Sequence, residues 1–237
     1  METQLYNPIR LSEKVEKIVT KNNLKKYYRF RPTRFYGGIA TADTVGCNLR
    51  CNFCWSSNSV WNAEKIGEFY SAEDIAKILS EVAKKKGYDQ IRISGGEPTI
   101  GINHLIELIK NIESKYLFIL ETNGILLGYN EEFVKKLSQF KNLHVRVCLK
   151  GSNSEEFSWF TGAKIGFNYQ INALENLKNN NLRFNIALVT LNKNKTGLYK
   201  KLQELGLNNA MIEEEEIKLY PQVKNRLEKA GTLHHFQ

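Results

Sequence analysis

Apolar and polar positions along the chain follow two alternating periods. From residue 38 onward, short apolar runs are followed by longer segments with an apolar residue at every third or fourth position. This pattern predicts strands that alternate with helices, as in a parallel sheet covered by outer helices. The strands are predicted at 38–42, 90–94, 116–121, 144–149, 182–189 and within 211–219. The helices that follow them are predicted at 71–86, 102–112, 130–140, 167–179, 196–205 and 223–230.

Six strand–helix units predict an α/β fold, a partial (β/α)6 TIM-like barrel with a parallel sheet and outer helices. Residues 38–237 are predicted to form this core domain, and residues 1–37 a basic N-terminal helical extension. Apolar positions at helical spacing predict a helix over 9–28. The cationic and aromatic stretch 25–31 is expected to plug the barrel with its rings while its charges face water. The acidic run Glu213–Glu216 is expected on a solvated edge.

Composition predicts a protein with a sizeable core, because 42% of its 237 residues are hydrophobic. No run approaches the ~18 apolar residues of a membrane span. The first residues, Met1–Gln4, lack a signal-peptide pattern, so we expect a cytoplasmic location. The net charge of +9 is uneven, since residues 1–40 carry nine Lys or Arg and three Glu. Such a segment is expected either to bind a phosphate-rich partner such as tRNA or a nucleotide, or to be a solvated surface.

Three of the four cysteines, Cys47, Cys51 and Cys54, lie within eight residues. Clustered thiolates bind soft metal centres such as zinc, Cu(I) or iron–sulfur clusters. A structural zinc normally has four protein ligands, and the nearest histidine, His104, is far downstream. Three cysteines therefore suit a four-iron cluster with one iron open to a small molecule. The alternative is a zinc site in a non-enzymatic nucleic-acid-binding module. Cys148 is expected to pack as a small buried hydrophobe.

Polar and glycine residues follow three consecutive predicted strands. The segments are 94–99, 121–124 and 148–151, and their strand ends face the same side of a parallel barrel. Glycine lets the backbone approach a ligand closely, and a carboxylate beside it can hold an ammonium group. The candidate ligand-binding residues are Gly95, Gly96, Glu97, Glu121, Asn123 and Lys150.

The C-x3-C-x2-C spacing, with Phe53 before the last cysteine, resembles the signature of the radical S-adenosylmethionine (radical SAM) superfamily. Gly95-Gly96-Glu97 resembles the second motif of that superfamily. The resemblance implies that the three cysteines bind a [4Fe-4S] cluster whose fourth iron binds SAM, with Phe53 beside the adenine. It also implies that Gly95–Glu97 contact the methionyl amino group, and that Glu121 and Lys150 lie near the methionyl group.

The resemblance further implies a reaction. A ferredoxin or flavodoxin reduces the cluster, SAM is cleaved, and the 5′-deoxyadenosyl radical takes a hydrogen atom from a substrate. Such an open cluster is oxygen-sensitive, so we expect an anaerobic setting.

The sequence leaves the substrate open. Segments 121–124 and 148–151 resemble those of enzymes that make a glycyl radical on a partner protein, and segment 121–124 also resembles that of 7-carboxy-7-deazaguanine synthases. A small anionic molecule is the second possibility. RNA or tRNA base modification is the third, because Cys54-Trp55 resembles the wybutosine tricycle-forming family.

Overall fold

The computed structural model describes residues 5–236, so the prediction about Met1–Gln4 concerns residues outside this range. Within the range, nine strands form one sheet. They are β1 Thr20–Lys21, β2 Leu24–Thr33, β3 Ile39–Thr44, β4 Glu68–Tyr70, β5 Gln90–Gly95, β6 Leu117–Thr122, β7 Leu143–Lys150, β8 Arg183–Val189 and β9 Ile212–Glu214. Their order is β1-β2-β3-β5-β6-β7-β8-β9, with β4 paired to β2.

Strands β3 and β5 to β9 are mutually parallel and correspond to the six predicted strands, so the predicted α/β fold is confirmed. The helices are α1 Pro8–Val19, α2 Ser57–Trp61, α3 Ala72–Lys86, α4 Ile102–Asn111, α5 Ile125–Tyr129, α6 Glu131–Leu137, α7 Ser154–Thr161, α8 Phe167–Asn179, α9 Thr196–Glu204 and α10 Pro221–Lys229. Across residues 5–236, no helix combines the length and hydropathy needed to span a bilayer.

The predicted helix over 9–28 is wrong beyond Val19. Asn22 and Asn23 adopt left-handed backbone conformations, with φ of 47° and 63°, and turn the chain into β2. Asparagine tolerates this conformation better than most residues, so the pair ends the helical region. Residues 24–33 therefore form a strand that pairs antiparallel with β3. They do not belong to a helical extension. A domain boundary after residue 37 stays a prediction.

Strand β2 also corrects the expectation that the charges of residues 25–31 face water. Lys25 and Lys26 are buried, at 1% and 7% exposure. Their ammonium groups bind backbone carbonyls, which a buried cation needs in place of water. Arg29 and Arg31 both pair with the fully buried Asp43 of β3, at 2.7 and 3.0 Å. These charges thus face the protein and link β2 to the parallel strands.

Strand β7 is apolar on one side and largely polar on the other. In β7, Val145, Val147 and Leu149 are fully buried, and Arg146 and Cys148 alternate with them. Strands of a parallel sheet are normally apolar on both faces, because helices cover both. A polar face here indicates that the inside of the partial barrel is a lined cavity instead of a packed core.

Gly128 permits the close packing of α5 on α8. A Cβ at Gly128 would overlap the backbone carbonyl oxygen of Tyr169 in α8. We therefore expect Gly128→Ala to lower the free energy of unfolding by about 1–3 kcal/mol, measured by urea denaturation. Gly197→Ala in α9 is the matched control, because no atom lies within 4 Å of its added Cβ. That control is expected to be neutral or stabilising by about 0.5–1 kcal/mol, and equal losses in both variants would contradict the packing argument.

Candidate functional site

A cavity lies at the carboxyl ends of β3, β5, β6 and β7. It has a volume of about 190 Å³ and opens to solvent. Its lining includes the three clustered cysteines together with Phe53, Gly95, Gly96, Glu97, Glu121, Asn123 and Lys150. The structure thus brings together every residue that the sequence singles out. A larger groove of about 730 Å³ lies at the amino ends of β6 to β8. Its lining, which includes Lys110, Gln139 and Arg183, contains none of the candidate site residues. The strand-end cavity is the candidate site, because parallel barrels place their chemistry at carboxyl ends.

The cysteine loop, residues 47–54, follows β3 and presents three free thiols to the cavity. Burial raises the pKa of Cys51 to about 12 and also raises the pKa values of Cys47 and Cys54. Metal binding requires the deprotonated thiolates. Three neighbouring thiolates repel one another, so this loop needs a strongly positive centre between them.

The donor set fits an iron–sulfur cluster. Among residues 5–236, no three His, Cys, Asp or Glu side chains approach closely enough to share one metal ion. In a four-iron cluster each thiolate binds a different iron, so the ligands surround the cluster. His104, the histidine nearest in sequence, instead bonds to the Tyr27 hydroxyl and the Asn23 carbonyl, at 3.1 and 2.8 Å.

The Gly95–Glu97 turn packs directly on the start of the cysteine loop. The backbone N–H of Gly96 donates to the carbonyl of Thr44, and that of Glu97 donates to the carbonyl of Gly46. A Cβ at Gly96 would overlap the Gly46 carbonyl, so only glycine fits there. Gly95 has a φ of 94°, which also favours glycine. The two glycines therefore bring this turn against the metal-binding loop.

The carboxylate of Glu97 is an internal link within the site. It accepts hydrogen bonds from the backbone N–H and hydroxyl of Thr99, the hydroxyl of Thr122 and the backbone N–H of Asn123, at 2.6–3.0 Å. It is 1% exposed. Glu97 therefore joins the end of β5 to the end of β6, and its carboxylate is already satisfied by protein donors.

Asn123 links β6 to the cysteine loop. Its side-chain amide donates to Asn48 at 2.8 Å and lies 3.8 Å from the Cys47 sulfur. The left-handed residue of this turn is Gly124, with a φ of 77°. Gln170 of α8, fully buried, donates to the carbonyls of Asn123 and Cys148. Sequence reasoning missed Gln170, although a lone amide on an apolar helix face was a signal.

Lys150 and Phe53 face each other across the cavity. The Lys150 ammonium lies 5.8 Å from the Phe53 ring centroid, and Phe53 packs edge-on against Phe160. Cys148 lines the same cavity and is half-buried, whereas the sequence predicts that it packs as a small buried hydrophobe. Burial raises the pKa of Cys148 to about 12, so its thiol is neutral near pH 7.

Three charged residues, Glu121, Arg146 and Glu215, continue the lining away from the cysteines. Arg92 and Glu213 pair with them from outside the lining, and sequence reasoning missed most of these residues. Glu121 pairs with Arg92 at 3.0 Å. Arg146, 7% exposed in its side chain, pairs with Glu213 at 2.8 Å and Glu215 at 2.9 Å. We refer to these five residues together as the charged chamber: Arg92, Glu121, Arg146, Glu213 and Glu215.

The expectation of a solvated acidic run holds only for alternate residues. Glu214 pairs with Lys195, and Glu216 with Lys218, on the outer surface. Glu213 and Glu215 instead turn inward to Arg146. The run includes the end of a strand, where successive side chains point to opposite faces.

The fold and the cavity define a partial α/β barrel with a cysteine-lined ligand site at its strand ends. Residues 41–197, more than half of the chain, match the family model described as the radical SAM superfamily. The chain belongs to this superfamily, whose enzymes use a [4Fe-4S] cluster and S-adenosylmethionine. Cys47, Cys51 and Cys54 have the C-x3-C-x2-C spacing of the family.

Curated relatives are longer than the chain. A probable GTP 3′,8-cyclase of Archaeoglobus fulgidus is 33% identical over 131 residues, which cover 54% of this chain and 41% of that protein. Molybdenum cofactor biosynthesis protein 1 of Dictyostelium discoideum is 29% identical over 192 residues, covering 78% of this chain and 29% of that protein. The chain thus matches less than half the length of either relative.

Solved structures share the fold. Streptococcus suis SuiB bound to S-adenosylmethionine has a TM-score of 0.54 and 20% identity, covering 84% of this chain and 45% of that chain. Spore photoproduct lyase complexed with dinucleoside spore photoproduct has a TM-score of 0.55 and 14% identity, covering 78% of this chain and 58% of that chain. At these identities the likeness concerns the fold alone.

Lys25 supports the end of the Gly95–Glu97 turn and the residues that follow it. Its ammonium donates to the carbonyls of Glu97, Pro98 and Ile100. Burial lowers the pKa of Lys25 from 10.5 to about 7, and the nearby Glu97 carboxylate opposes that shift.

We expect Lys25→Met to destabilise the protein by about 2–3 kcal/mol near pH 7, because three buried carbonyls lose their donor. The stability gap to the parent should widen as pH rises from about 7 towards 10, because the unfolded lysine then binds more protons than the folded one. Urea denaturation at several pH values measures the gap. Lys77→Met, on the exposed face of α3, should change stability by less than ~0.5 kcal/mol. A gap that narrows with rising pH would contradict the depressed pKa.

Proposed function

We propose that the protein is a radical SAM enzyme whose substrate is a small anionic molecule, such as a purine nucleotide, whose base is held in the charged chamber. When bound, the cluster and SAM supply a 5′-deoxyadenosyl radical that abstracts hydrogen from the substrate. The observation that carries the proposal is that the thiol-lined loop and three charged side chains, those of Glu121, Arg146 and Glu215, line one cavity. This juxtaposition brings a radical source next to a polar ligand site.

The residues divide between the two halves of the cavity. Cys47, Cys51 and Cys54 would hold the cluster. The Gly95–Glu97 turn, with Phe53, Asn123 and Lys150, would hold SAM. The Glu97 carboxylate already has four protein donors, and the N–H groups of Gly96 and Glu97 also have partners, so we assign ligand binding in this turn to its remaining backbone groups. Glu121 is paired with Arg92, so we assign it to the substrate half.

The chamber offers both acceptors and donors. Carboxylates of Glu121, Glu213 and Glu215 accept hydrogen bonds, and the guanidinium groups of Arg92 and Arg146 donate them. The Nε of Arg92 is buried and has no hydrogen-bond partner among residues 5–236. A purine edge carries both donors and acceptors, and arginine pairs well with its acceptors. The GTP 3′,8-cyclase names of the relatives support a nucleotide.

The other substrate hypotheses have less support. An RNA partner was suggested by the basic first 40 residues, but Lys25, Lys26, Arg29 and Arg31 bind carbonyls or Asp43 inside the protein. Activation of a partner protein rested on segments 121–124 and 148–151. The acid of the first segment is engaged with Arg92, and Cys148 stands in the second where the activating enzymes have an acid.

Reconstitution tests the chemistry. The anaerobically loaded protein should hold about four irons per chain and absorb near ~400 nm. With dithionite and SAM it should form 5′-deoxyadenosine, measured by chromatography. Cys51→Ala should lose both the iron and the product, whereas Cys148→Ala should keep the iron. A colourless protein with one zinc, or a loaded protein that leaves SAM intact, would refute the proposal.

Arg146 tests the substrate half. With GTP and other nucleotides as probes, Arg146→Gln should weaken the nucleotide stimulation of 5′-deoxyadenosine formation by at least about 10-fold, a cost of ~1.4 kcal/mol. The affinity for SAM should change little. Lys195→Gln is the matched control, because its ion pair with Glu214 lies on the outer side of β9. Thermal melting checks that both variants are folded. If they are, nucleotide stimulation of Arg146→Gln equal to that of the parent would rule out a role for Arg146 in the charged chamber.

A further inference from the structure

The C-terminal helix α10 contacts the cysteine loop through one arginine. The Nε of Arg226 donates to the carbonyl of Asn52 at 2.8 Å, and its Nη2 donates to the carbonyl of Cys54 at 2.6 Å. Val223 and Leu227, on the same helix, are fully buried. The helix is therefore anchored independently of Arg226. The Arg226 guanidinium thus donates two hydrogen bonds, in a fork, to the backbone at the last cysteine of the loop.

A second arginine binds the first half of the same loop. Nη1 of Arg50 donates to the carbonyls of Cys47 and Leu49, at 2.6 and 2.9 Å. The indole of Trp61 lies 5.7 Å from the Arg50 guanidinium and 5.5 Å from that of Arg226. One aromatic ring thus contacts both planar cations and helps to hold them in place. The backbone at the first and last cysteines is thus fixed by two arginines and one ring.

Neither of these two cations has a carboxylate partner in the part of the chain that the structure describes. No Asp or Glu oxygen among residues 5–236 lies within ion-pair distance of Arg50 or Arg226. By contrast, the arginines of the chamber and of β2 are each paired with acids. The positive charge of Arg50 and Arg226 therefore acts on the group that the three thiols surround. The potential of a thiolate-held cluster depends on nearby charge and hydrogen bonding.

We propose that Arg226 is a positioning residue for the cluster. It holds the cysteine loop in its ligand-binding shape, and its charge favours the reduced, more negative cluster. The inference rests on the assignment of Cys47, Cys51 and Cys54 as cluster ligands. The two effects are separable, because lysine keeps the charge but does not reproduce the planar two-point fork.

The test compares Arg226→Gln, Arg226→Lys and the control Lys229→Gln, an exposed residue on the same helix. Hydrogen exchange of the metal-free protein reports the loop, iron loss to a chelator reports cluster retention, and an EPR-monitored titration reports the midpoint potential. Arg226→Gln should speed exchange across residues 52–55 and iron loss by at least about 10-fold, and should lower the potential. Arg226→Lys should also speed exchange, but its potential should stay near that of the parent. Lys229→Gln should match the parent in all three.

The proposal is overturned if Arg226→Gln behaves like Lys229→Gln in both exchange and potential. Detachment of α10 would be recognised by faster exchange of the Val223 and Leu227 amides. In that case Arg226→Lys, which keeps a cation on the helix, decides: faster loop exchange with parent-like exchange of the Val223 and Leu227 amides supports the proposal, and loop exchange equal to that of the parent overturns it. Failure of the proposed function has a different signature: Cys51→Ala would keep its iron, while exchange of the metal-free loop would still report the arginine contacts.

Discussion

The candidate site depends on the buried carboxylate of Glu97. An ionised group inside a protein is costly unless hydrogen bonds replace its water, and Glu97 obtains four of them from Thr99, Thr122 and Asn123. These bonds fix the ends of β5 and β6 relative to each other. Asn123 then carries the link to the cysteine loop through Asn48. The backbone of the site is therefore organised by the protein itself, which lowers the cost of ordering it around a ligand.

The sequence was sufficient for the parallel part of the fold. Apolar runs followed by amphipathic helices have distinct periods, and the six strands and most helix bounds were recovered to within a few residues. The antiparallel strand β2 was missed because the helical spacing before it continues to Leu24 and no proline interrupts it. The break depends on Asn22 and Asn23 and on pairing with β3, a contact between distant residues that periodicity does not contain.

The site was recovered only as far as local motifs reach. The cysteines and the three strand ends could be recognised because the residues of each motif are neighbours in the sequence. The charged chamber could not be recognised, because Arg146 pairs with Glu213 and Glu215, which lie more than sixty residues further along the chain. A partial signal was present in β7, where Arg146 and Lys150 occupy one side and Val145 and Val147 the other. Charges at alternate positions of a parallel strand are costly in a packed core, so they indicate a cavity.

The same reasoning changes the meaning of the basic N-terminal composition. Four of the nine cations in residues 1–40 are used inside the fold: Lys25 and Lys26 bind backbone carbonyls, and Arg29 and Arg31 bind Asp43. A group that donates to buried acceptors offers little charge to a partner at the surface. Asp43 in turn accepts from Ser94, at the start of the glycine turn. Part of the positive charge thus serves to hold β2 against the walls of the site, and net charge alone is a poor guide to what the protein binds.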